Sequence, residues 1–537
     1  MRGGSERLVC YSVLAVSVLS AALRLYPSIL TGIPYNTDSW APMANTREIL
    51  EHSPTPLRPG RYFDDYNIYW PLVSLYSSVA TLVTGLDLIS ASAIFVPLAG
   101  SLSVILLYAV AARVTRDWRS ATLAATLLAA SGFHAIITAG AKKETIAWPL
   151  HIAALYLFLS GELSWRWGIS MVLVGTALTA AHHLALLATL APMLAMTATC
   201  LIVSGERIHE IRKWRISAST LLLAISVPYY ALHALRGLGK YPMTAQVAIS
   251  LLAYQGVMLL PLAVSLVKFE RGRQRVPTKA YLILIPLAAG LVLLASQKSL
   301  VPGIPHLPIE EVTLILPYAP IVAAAAVGAM LSQRYMPAQI WGDLGSWAAS
   351  LLALEGFALF GVRYGGLTYR LVNFALVPLF IYAGLAISRL RLRRALPWLL
   401  AALIAASMVL PMYATTSVRT RYFGSQNHYN AEDLALAHWI GGRVRENVSV
   451  SGDQKVAYLL RYFGVKTSPW PAFSYLSGLD PTPEFDCLVV YREMARGGYH
   501  LVQVGIELPD GWWTLPVADS KLALVYENGE DRMLARP

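Results

Sequence analysis

The sequence predicts a polytopic α-helical membrane protein of about 13 transmembrane helices, followed by a small exterior α/β domain at the C-terminus. Of its 537 residues, 56% are hydrophobic and only 14% are charged. The mean hydropathy is +0.52. Soluble proteins carry about 25% charged residues, so a string of separate soluble domains is excluded.

Apolar runs of about 17–25 residues, the length that crosses a bilayer, fill most of the first part of the chain. The thirteen candidate spans are residues 8–30, 88–112, 120–139, 145–161, 168–182, 184–204, 216–235, 246–267, 280–297, 313–331, 339–360, 371–388 and 395–414. A further apolar run at 71–84 is short and follows a polar, proline-rich loop. We therefore interpret it as a re-entrant or interfacial helix within a large first outside loop, residues 31–87.

The distribution of basic residues orients these spans. With 71–84 left out and the N-terminus inside, 20 of the 43 Lys and Arg residues fall in inside segments, against ten in the much longer outside loops before the last span. Basic residues collect in cytoplasmic loops, so we predict a multi-pass protein of the cell membrane with a cytoplasmic N-terminus. The first span has a basic start like a signal peptide but continues to Pro27 without a small-residue cleavage site, which predicts a retained anchor.

The net charge of +12 is therefore explained by topology, and no nucleic-acid partner is predicted because basic residues are not interleaved with aromatics in a soluble module. The three cysteines, Cys10, Cys200 and Cys487, are too few and too scattered for a disulfide framework or a metal cluster.

The pattern changes after residue 414, which divides the chain into a transmembrane domain (1–414) and an extracytoplasmic α/β domain (415–537). The second part contains a helical pattern at 431–444, the strand VSVSG, the helix QKVAYLLRYFG and the apolar strand DCLVVY. Asn528-Gly529 then predicts the turn of a β-hairpin.

Charged residues on the predicted outer face gather near the ends of spans. They are Asp38, Glu144, Glu310, Glu311, Arg363 and Arg370. Carboxylates at the ends of several helices can converge on a divalent cation, Mg or Mn, because hard cations prefer oxygen ligands, and an arginine can hold a phosphate. The pattern predicts a site for a lipid-phosphate leaving group; the alternative is that each acid is a solvated loop residue. Glu355, inside a span, is a separate polar feature.

Four segments in the same order resemble the catalytic subunit of oligosaccharyltransferase, of the glycosyltransferase C superfamily, and its archaeal single-subunit form. Asp38 in TDSWAPMANTREILEHSP is similar to the family's first-loop aspartate, and Glu144 in AKKE falls on its second acidic motif. PIEE, ending at Glu311, lies where the family has a flexible-loop motif ending in glutamate. Arg370 in GGLTYRLVNF lies where the family's arginine contacts the lipid-linked phosphate.

The resemblance implies a glycosyltransferase C fold and transfer of a sugar or oligosaccharide from a polyprenyl (dolichyl) phosphate or diphosphate carrier to an acceptor protein or glycan. Asp38, Glu144, Glu310 and Glu311 are then catalytic, with Asp38, Glu144 and Glu310 as metal ligands. Arg370 and Arg363 are expected to bind the donor phosphate.

Two departures from the family pattern bear on this expectation. Lys142 and Lys143 stand where the second acidic motif usually has further acids. Of the Trp-Trp-Asp-Tyr-Gly motif that grips the Ser or Thr of the acceptor, only Asp453 remains, in the sequence Ser451-Gly452-Asp453-Gln454-Lys455. Asp453 is therefore the expected acceptor-side residue, while recognition of an Asn-x-Ser/Thr acceptor does not carry over.

Other functions stay open at this point. The acceptor can be a hydroxyl of a glycan, lipid or protein, with a lipid-phosphate monosaccharide as donor. A non-enzymatic flippase or transporter of lipid-linked sugars predicts polar residues strung through the spans, whereas most lie at outer helix ends here. A degenerate transferase that has lost catalysis is the third alternative.

Overall fold

The computed structural model describes most of the chain. The described residues are 2–52, 66–160, 164–202, 208–234, 245–269, 294, 312, 315–360, 368–390, 402–410, 428–445, 447–480, 482, 484–501, 504–512 and 522–536. These residues form two compact units. The first comprises Met1–Leu23, Ala99–Ala135 and Ile146–Leu410, and the second comprises Arg24–Leu98, Ile136–Thr145 and Pro411–Pro537.

Helices make up most of the N-terminal three quarters of the described chain. They are α1 (Arg2–Thr31), α2 (Trp40–Glu51), α3 (Leu72–Thr84), α4 (Leu88–Thr115), α5 (Trp118–Ala130), α6 (Gly132–Thr138), α7 (Lys143–Ser160), α8 (Trp165–Ala181), α9 (His183–Ile202), α10 (Ile208–Tyr229), α11 (Ala245–Phe269), α12 (Ala319–Tyr335), α13 (Ala338–Phe360) and α14 (Thr368–Ser388). A π-helical turn, Tyr230–Ala234, extends α10.

Within the described residues, six helices are long and apolar enough to cross a membrane, or seven when the bent pair α5 and α6 is counted as one span. The chain is thus a multi-pass membrane protein, and the predicted total of thirteen spans is not confirmed. The predicted span 280–297 lies outside the described residues. Helix α3 has only 13 residues, as expected for the run 71–84.

Glycines bring the helices of the first unit close together. Helix α14 packs against both α12 and α5. A Cβ on Gly384 of α14 would lie 2.5 Å from the carbonyl oxygen of Ser120 in α5, and one on Gly328 of α12 would overlap the carbonyl of Tyr382. Small residues allow this backbone approach, on which helix packing in lipid depends because lipid tails supply no hydrophobic driving force.

The predicted span 120–139 is one helix in the sequence interpretation but a broken pair in the structure. Helices α5 and α6 meet at Ser131 with a bend of 63°. The side-chain oxygens of Ser131 and Tyr318 lie 3.0 Å apart. The Tyr318 hydroxyl also accepts a hydrogen bond from the backbone N–H of Phe133 at 3.3 Å, which satisfies a donor that the break leaves without a helical partner.

The second unit contains the C-terminal α/β part. Its elements are α15 (Ala431–Arg443), β1 (Val450–Ser451), α16 (Gln454–Tyr462), β2 (Thr467–Ser468), α17 (Trp470–Leu476), β3 (Cys487–Tyr491), α18 (Met494–Gly497), β4 (Tyr499–Leu501), β5 (Val504–Ile506), β6 (Ala523–Glu527) and β7 (Asp531–Ala535). Five strands form a mixed sheet in the order β2-β1-β3-β7-β6, parallel from β2 to β3 and antiparallel beyond. This confirms the predicted helices, the strands and the hairpin at Asn528-Gly529.

The compact unit that holds this sheet also contains most of the first outside loop and the short segment before Glu144. Helix α16 packs on α2 and on the short 3-10 turn Thr37–Ser39. The division of the chain at 414/415 stays a prediction, while the contacts place the loop residues around Asp38 and the C-terminal sheet in one compact unit.

Candidate functional site

The turn that carries Asp38 is fixed by its own backbone. Helix α1 ends at Thr31, and Asn36 adopts a left-handed conformation with φ of 82°. The Asn36 side chain accepts a hydrogen bond from the backbone N–H of Asp38 at 2.9 Å. Asparagine tolerates this conformation better than most residues. Asp38 therefore sits, partly exposed, in a tight turn immediately before helix α2.

The segment that carries Glu144 is hydrogen-bonded to this turn. Tyr35 and Gly140 form an isolated parallel β-bridge. The Ser39 hydroxyl donates to the carbonyl oxygen of Tyr35 at 2.6 Å and accepts from the backbone N–H of Ala141 at 2.9 Å. The two segments are about one hundred residues apart in the chain, and the structure brings both predicted acids to one pair of bonded turns.

Gly140 is required for this approach. A Cβ at position 140 would lie 2.5 Å from the carbonyl oxygen of Tyr35 and 3.0 Å from Ser39 Oγ. Thr145 holds the same segment from the other side, since its hydroxyl donates to the carbonyl oxygen of Gly140 at 2.6 Å. The buried guanidinium of Arg24 also donates to Thr138 Oγ1 at 2.8 Å, immediately before the segment.

Glu144 lies in the first turn of helix α7 and is only 6% exposed. Lys142 and Lys143, next to it, are also buried. The ammonium of Lys143 lies 3.9 Å from the ring centroid of Tyr66 and 5.0 Å from that of Trp70, within the range of cation–π contacts. The segment therefore presents positive charge and one carboxylate from neighbouring positions.

The predicted metal site of Asp38, Glu144 and Glu310 stays a prediction, because Glu310 lies outside the described residues. Mg²⁺ and similar ions take about six oxygen ligands, with carboxylates supplying the charge. The described part of the chain contains no group of three or more His, Cys, Asp or Glu side chains able to hold a metal ion. Beside Asp38 and Glu144 the segment offers two lysines, whose charge opposes a cation. We derive no chemical step through a metal.

The other predicted site residues are placed differently. Glu310, Glu311 and Arg363 lie outside the described residues. Arg370 is partly exposed in the first turn of helix α14, in the first compact unit. Asp453 lies in the second unit, at the start of helix α16.

Asp453 is buried and hydrogen-bonded within the C-terminal sheet region. It caps helix α16 by accepting from the backbone N–H of Val456 at 3.0 Å, and it accepts from the Tyr491 hydroxyl and from the backbone N–H of His500. Burial raises the pKa of Asp453 to about 6, although these hydrogen bonds act in the opposite direction. A role for Asp453 toward the acceptor stays a prediction, and it requires the acceptor to displace one of these donors.

Lys455, at the position that matches the family motif's glycine, is 2% exposed. Its ammonium lies 3.0 Å from Asp433 Oδ2 and 3.5 Å from Glu493 Oε2. Burial by itself lowers the pKa of Lys455, but the two carboxylates outweigh it and raise the pKa above its usual value. The side chains of Asp453 and Lys455 are thus bonded to other residues of the C-terminal domain.

An aromatic cluster links the Asp38 turn to the C-terminal part, and sequence reasoning missed it. Trp40 is fully buried, and its ring centroid lies 5.2 Å from those of Tyr429 and Tyr462. The Tyr429 hydroxyl is 3.3 Å from Thr37 Oγ1 and donates to the carbonyl oxygen of Lys455 at 3.0 Å. The available signal was Trp40 itself, a tryptophan in the first turn after Asp38.

Comparisons with known proteins identify the fold. No family model matches the chain, and no curated protein matches it. Among solved structures, the Archaeoglobus fulgidus oligosaccharyltransferase tethered to an acceptor peptide with an NVT sequon is similar, with a TM-score of 0.57 and 17% identity over 91% of this chain and 69% of that one. The same enzyme in complex with an inhibitory peptide and a dolichol-phosphate gives a TM-score of 0.56 at 14% identity, over 91% and 70% of the two chains.

Proposed function

We propose that this chain, which has the fold of the archaeal oligosaccharyltransferase, is a membrane glycosyltransferase. It takes a sugar or oligosaccharide from a polyprenyl phosphate or diphosphate carrier and transfers it to an acceptor on the outer face of the membrane. The observation that carries the proposal is the bonded pair of turns: Ser39 and Gly140 join the segment of Asp38 to that of Glu144. A shared fold does not fix function, which depends on the residues of the site.

In the proposed reaction, the anomeric carbon of the sugar exchanges its bond to the carrier phosphate for a bond to the acceptor. The acceptor's nucleophilic N or O attacks the anomeric carbon of the sugar, and the bond between that carbon and the phosphate oxygen breaks. The carrier phosphate leaves with the electron pair, and the proton of the nucleophile passes to the carboxylate of Asp38. General-base catalysis of this kind contributes about 10²–10⁴-fold to a rate.

Positive charge offsets the charge that develops on the departing phosphate. Lys142 and Lys143 supply it beside Glu144. A role for Arg370 in binding the donor phosphate stays a prediction. Glu144 is next to both lysines in the sequence and lies in the first turn of helix α7, where the helix dipole favours a carboxylate. Fixed charges of this type are often the largest single contribution to catalysis.

A hydroxyl acceptor is the second candidate, and the contacts of residues 453–455 favour it. Asp453 and Lys455 are buried and bonded within the C-terminal domain, and positions 451 and 452 are serine and glycine instead of tryptophans. The side chains that grip a Ser or Thr in the resembling family are therefore absent from this segment of the sequence.

The proposal is tested by supplying purified full-length protein, in lipid, with a radiolabelled polyprenyl-phosphate-linked sugar and a mixture of peptide and glycan acceptors. Asp38→Asn should lower transfer by about 10²-fold or more, because it removes the proton acceptor. Asp510→Asn, an exposed carboxylate of the same compact unit, is the matched control and should transfer like the parent. Equal transfer by Asp38→Asn and the parent would refute the role of Asp38, and carrier movement across the membrane without transfer would favour the flippase alternative.

A further inference from the structure

A cavity of about 430 Å³ lies in the first compact unit, among the ends of five helices. The C-terminal ends of α4 and α7 contribute Arg113, Arg116 and Phe158, and the N-terminal parts of α10 and α13 contribute Arg215 and Asp343. Helix α9 adds Met196. None of these residues belongs to the unit that holds Asp38 and Glu144, so the cavity is not part of the site proposed above.

The lining of this cavity, hereafter the arginine cavity, is positively charged. Its charged residues are three arginines and one aspartate. Arg215 forms a buried ion pair with Asp343, and its charge neutralises that of the aspartate. Two further positive charges, Arg113 and Arg116, remain on exposed residues of the lining.

The two exposed arginines differ in what holds them. Arg113 donates from Nε to the carbonyl oxygen of Leu159 at 3.0 Å and from its terminal nitrogen to that of Ser160, so it also caps helix α7. Arg116 makes no ion pair with any described residue. It also has φ of 53°, a left-handed conformation in which a residue other than glycine is disfavoured. A structural cap at this position would favour glycine, so the arginine side chain is the feature that needs an explanation.

Most of the remaining lining is apolar and aromatic, and Ser160 and Gln339 are its polar members. Phe158, Leu344 and Trp214 form part of the wall, and the Trp214 indole N–H donates to the carbonyl oxygen of Phe158 at 2.7 Å. Trp347 is completely buried, and its indole N–H has no acceptor in the described part of the chain. Buried donors are rarely left without a partner, and an oxygen of a ligand in the cavity would supply one.

We propose that the arginine cavity binds the phosphate headgroup of an anionic membrane phospholipid. Arg116 and Arg113 contact the phosphate, the Trp347 indole N–H contacts a phosphate or ester oxygen, and the apolar wall covers the glycerol and the first acyl carbons. A phosphate group is shared by lipids and by soluble phosphate compounds. The lipid is favoured because the cavity lies at the ends of membrane helices that the charge pattern predicts to be cytoplasmic, where the leaflet is anionic.

The test uses the full-length protein in mixed micelles, with the amount of bound lipid measured by native mass spectrometry. Phosphatidylglycerol is the probe, phosphatidylcholine the neutral lipid, and glycerol phosphate the soluble probe. Arg116→Gln should weaken phosphatidylglycerol binding about fivefold, the effect of removing one cation at an anionic surface. Trp347→Phe should weaken it as well, because it removes the indole N–H while leaving a smaller aromatic ring in the wall. Arg166→Gln, an exposed arginine outside the lining but on the same predicted face, is the matched control and should bind like the parent.

Each outcome decides the proposal. Weaker phosphatidylglycerol binding by Arg116→Gln and Trp347→Phe, with Arg166→Gln unchanged, supports it. Equal binding by all four proteins, or equal loss in Arg166→Gln, overturns it. Glycerol phosphate that binds as tightly as phosphatidylglycerol and displaces it overturns the assignment to a lipid. Because sugar transfer is not measured, failure here is distinguishable from failure of the proposed enzyme activity.

Discussion

Replacing Gly140 with alanine should separate the two turns that carry Asp38 and Glu144. The new Cβ would lie 2.5 Å from the carbonyl oxygen of Tyr35 and 3.2 Å from the Cβ of Asn36. Neither neighbour can rotate away, because the first is backbone and the second belongs to a residue held by its own bond to the Asp38 N–H. The 139–145 segment must therefore move.

The expected cost follows from what that movement breaks. Overpacking a buried site costs about 1–3 kcal/mol. The shift also weakens the hydrogen bond between Ser39 Oγ and the backbone N–H of Ala141, at 2.9 Å, which contributes about 1 kcal/mol. The full-length variant should therefore lose about 2–4 kcal/mol of stability by chemical denaturation in detergent. Sugar transfer should fall more than stability explains, because a displacement of about 1 Å in a catalytic arrangement can cost about 10²-fold.

The matched control is Gly442→Ala, in helix α15 of the same compact unit. A Cβ there meets no atom within 4 Å, and its backbone does not require glycine. Because Gly442 lies in the last turn of helix α15, alanine should stabilise the protein by at most about 0.5–1 kcal/mol and leave transfer unchanged. If Gly140→Ala kept the transfer rate of the parent at permissive temperature, the coupling of the two turns would not matter for the reaction, and the main support for the proposed function would be lost.

Two further predictions concern buried charges of the C-terminal domain. Lys455→Met should destabilise the protein by about 3–5 kcal/mol, because Asp433 is left buried without its cation. In the same denaturation experiment, the double variant Lys455→Met/Asp433→Asn should recover part of this loss. Burial, followed by the charge of Asp433, raises the pKa of Asp531 from 3.8 to about 7. Since the folded state then holds a proton that the unfolded chain releases, unfolding free energy should fall as pH rises across this window, and Asp531→Asn should flatten the dependence; an unchanged pH profile would contradict the assignment.

Local patterns in the sequence predicted the C-terminal elements well because their signals are short-range. The Asn528-Gly529 turn gives the hairpin of β6 and β7, and the helical pattern at 431–444 gives helix α15. The structure adds a capping box of Asn430 and Asp433 at the start of this helix. Hydropathy alone did not predict the break at Ser131, since the apolar run continues through it. The Tyr318 hydroxyl contacts Ser131 at this break and lies 187 residues away in the sequence, so no local pattern contains it.

The same distinction applies to the candidate site. Asp38 and Glu144 could be predicted as site residues because each follows a predicted span on the outer side. This position restricts where their side chains can lie. The bond between Ser39 and Ala141 and the contact between Trp40 and Tyr429 join residues far apart in sequence. Such contacts form only in the packed fold, and no local sequence pattern predicts them. The fold that the four short resemblances imply is confirmed, whereas the number of spans is not. The contacts that hold the site are long-range and could not be predicted from local sequence.

The turns that carry Asp38 and Glu144 and the segment 451–455 differ in what holds them. Under the proposed function, this difference allows the acceptor to change while the donor chemistry is kept. The turns that carry Asp38 and Glu144 are joined by Gly140 and by the Ser39 hydroxyl, and neither of these contacts involves a residue of 451–455. The Tyr429 hydroxyl connects Thr37 of the first turn to the Lys455 carbonyl. In the C-terminal part, Asp453 and Lys455 are held by Tyr491, Asp433 and Glu493. Under the proposed function, the acceptor is then recognised by other surfaces of the chain. A transferase with this arrangement should lose a sequon requirement before it loses its lipid-linked donor, which makes the choice between peptide and hydroxyl acceptors the most informative result of the transfer assay.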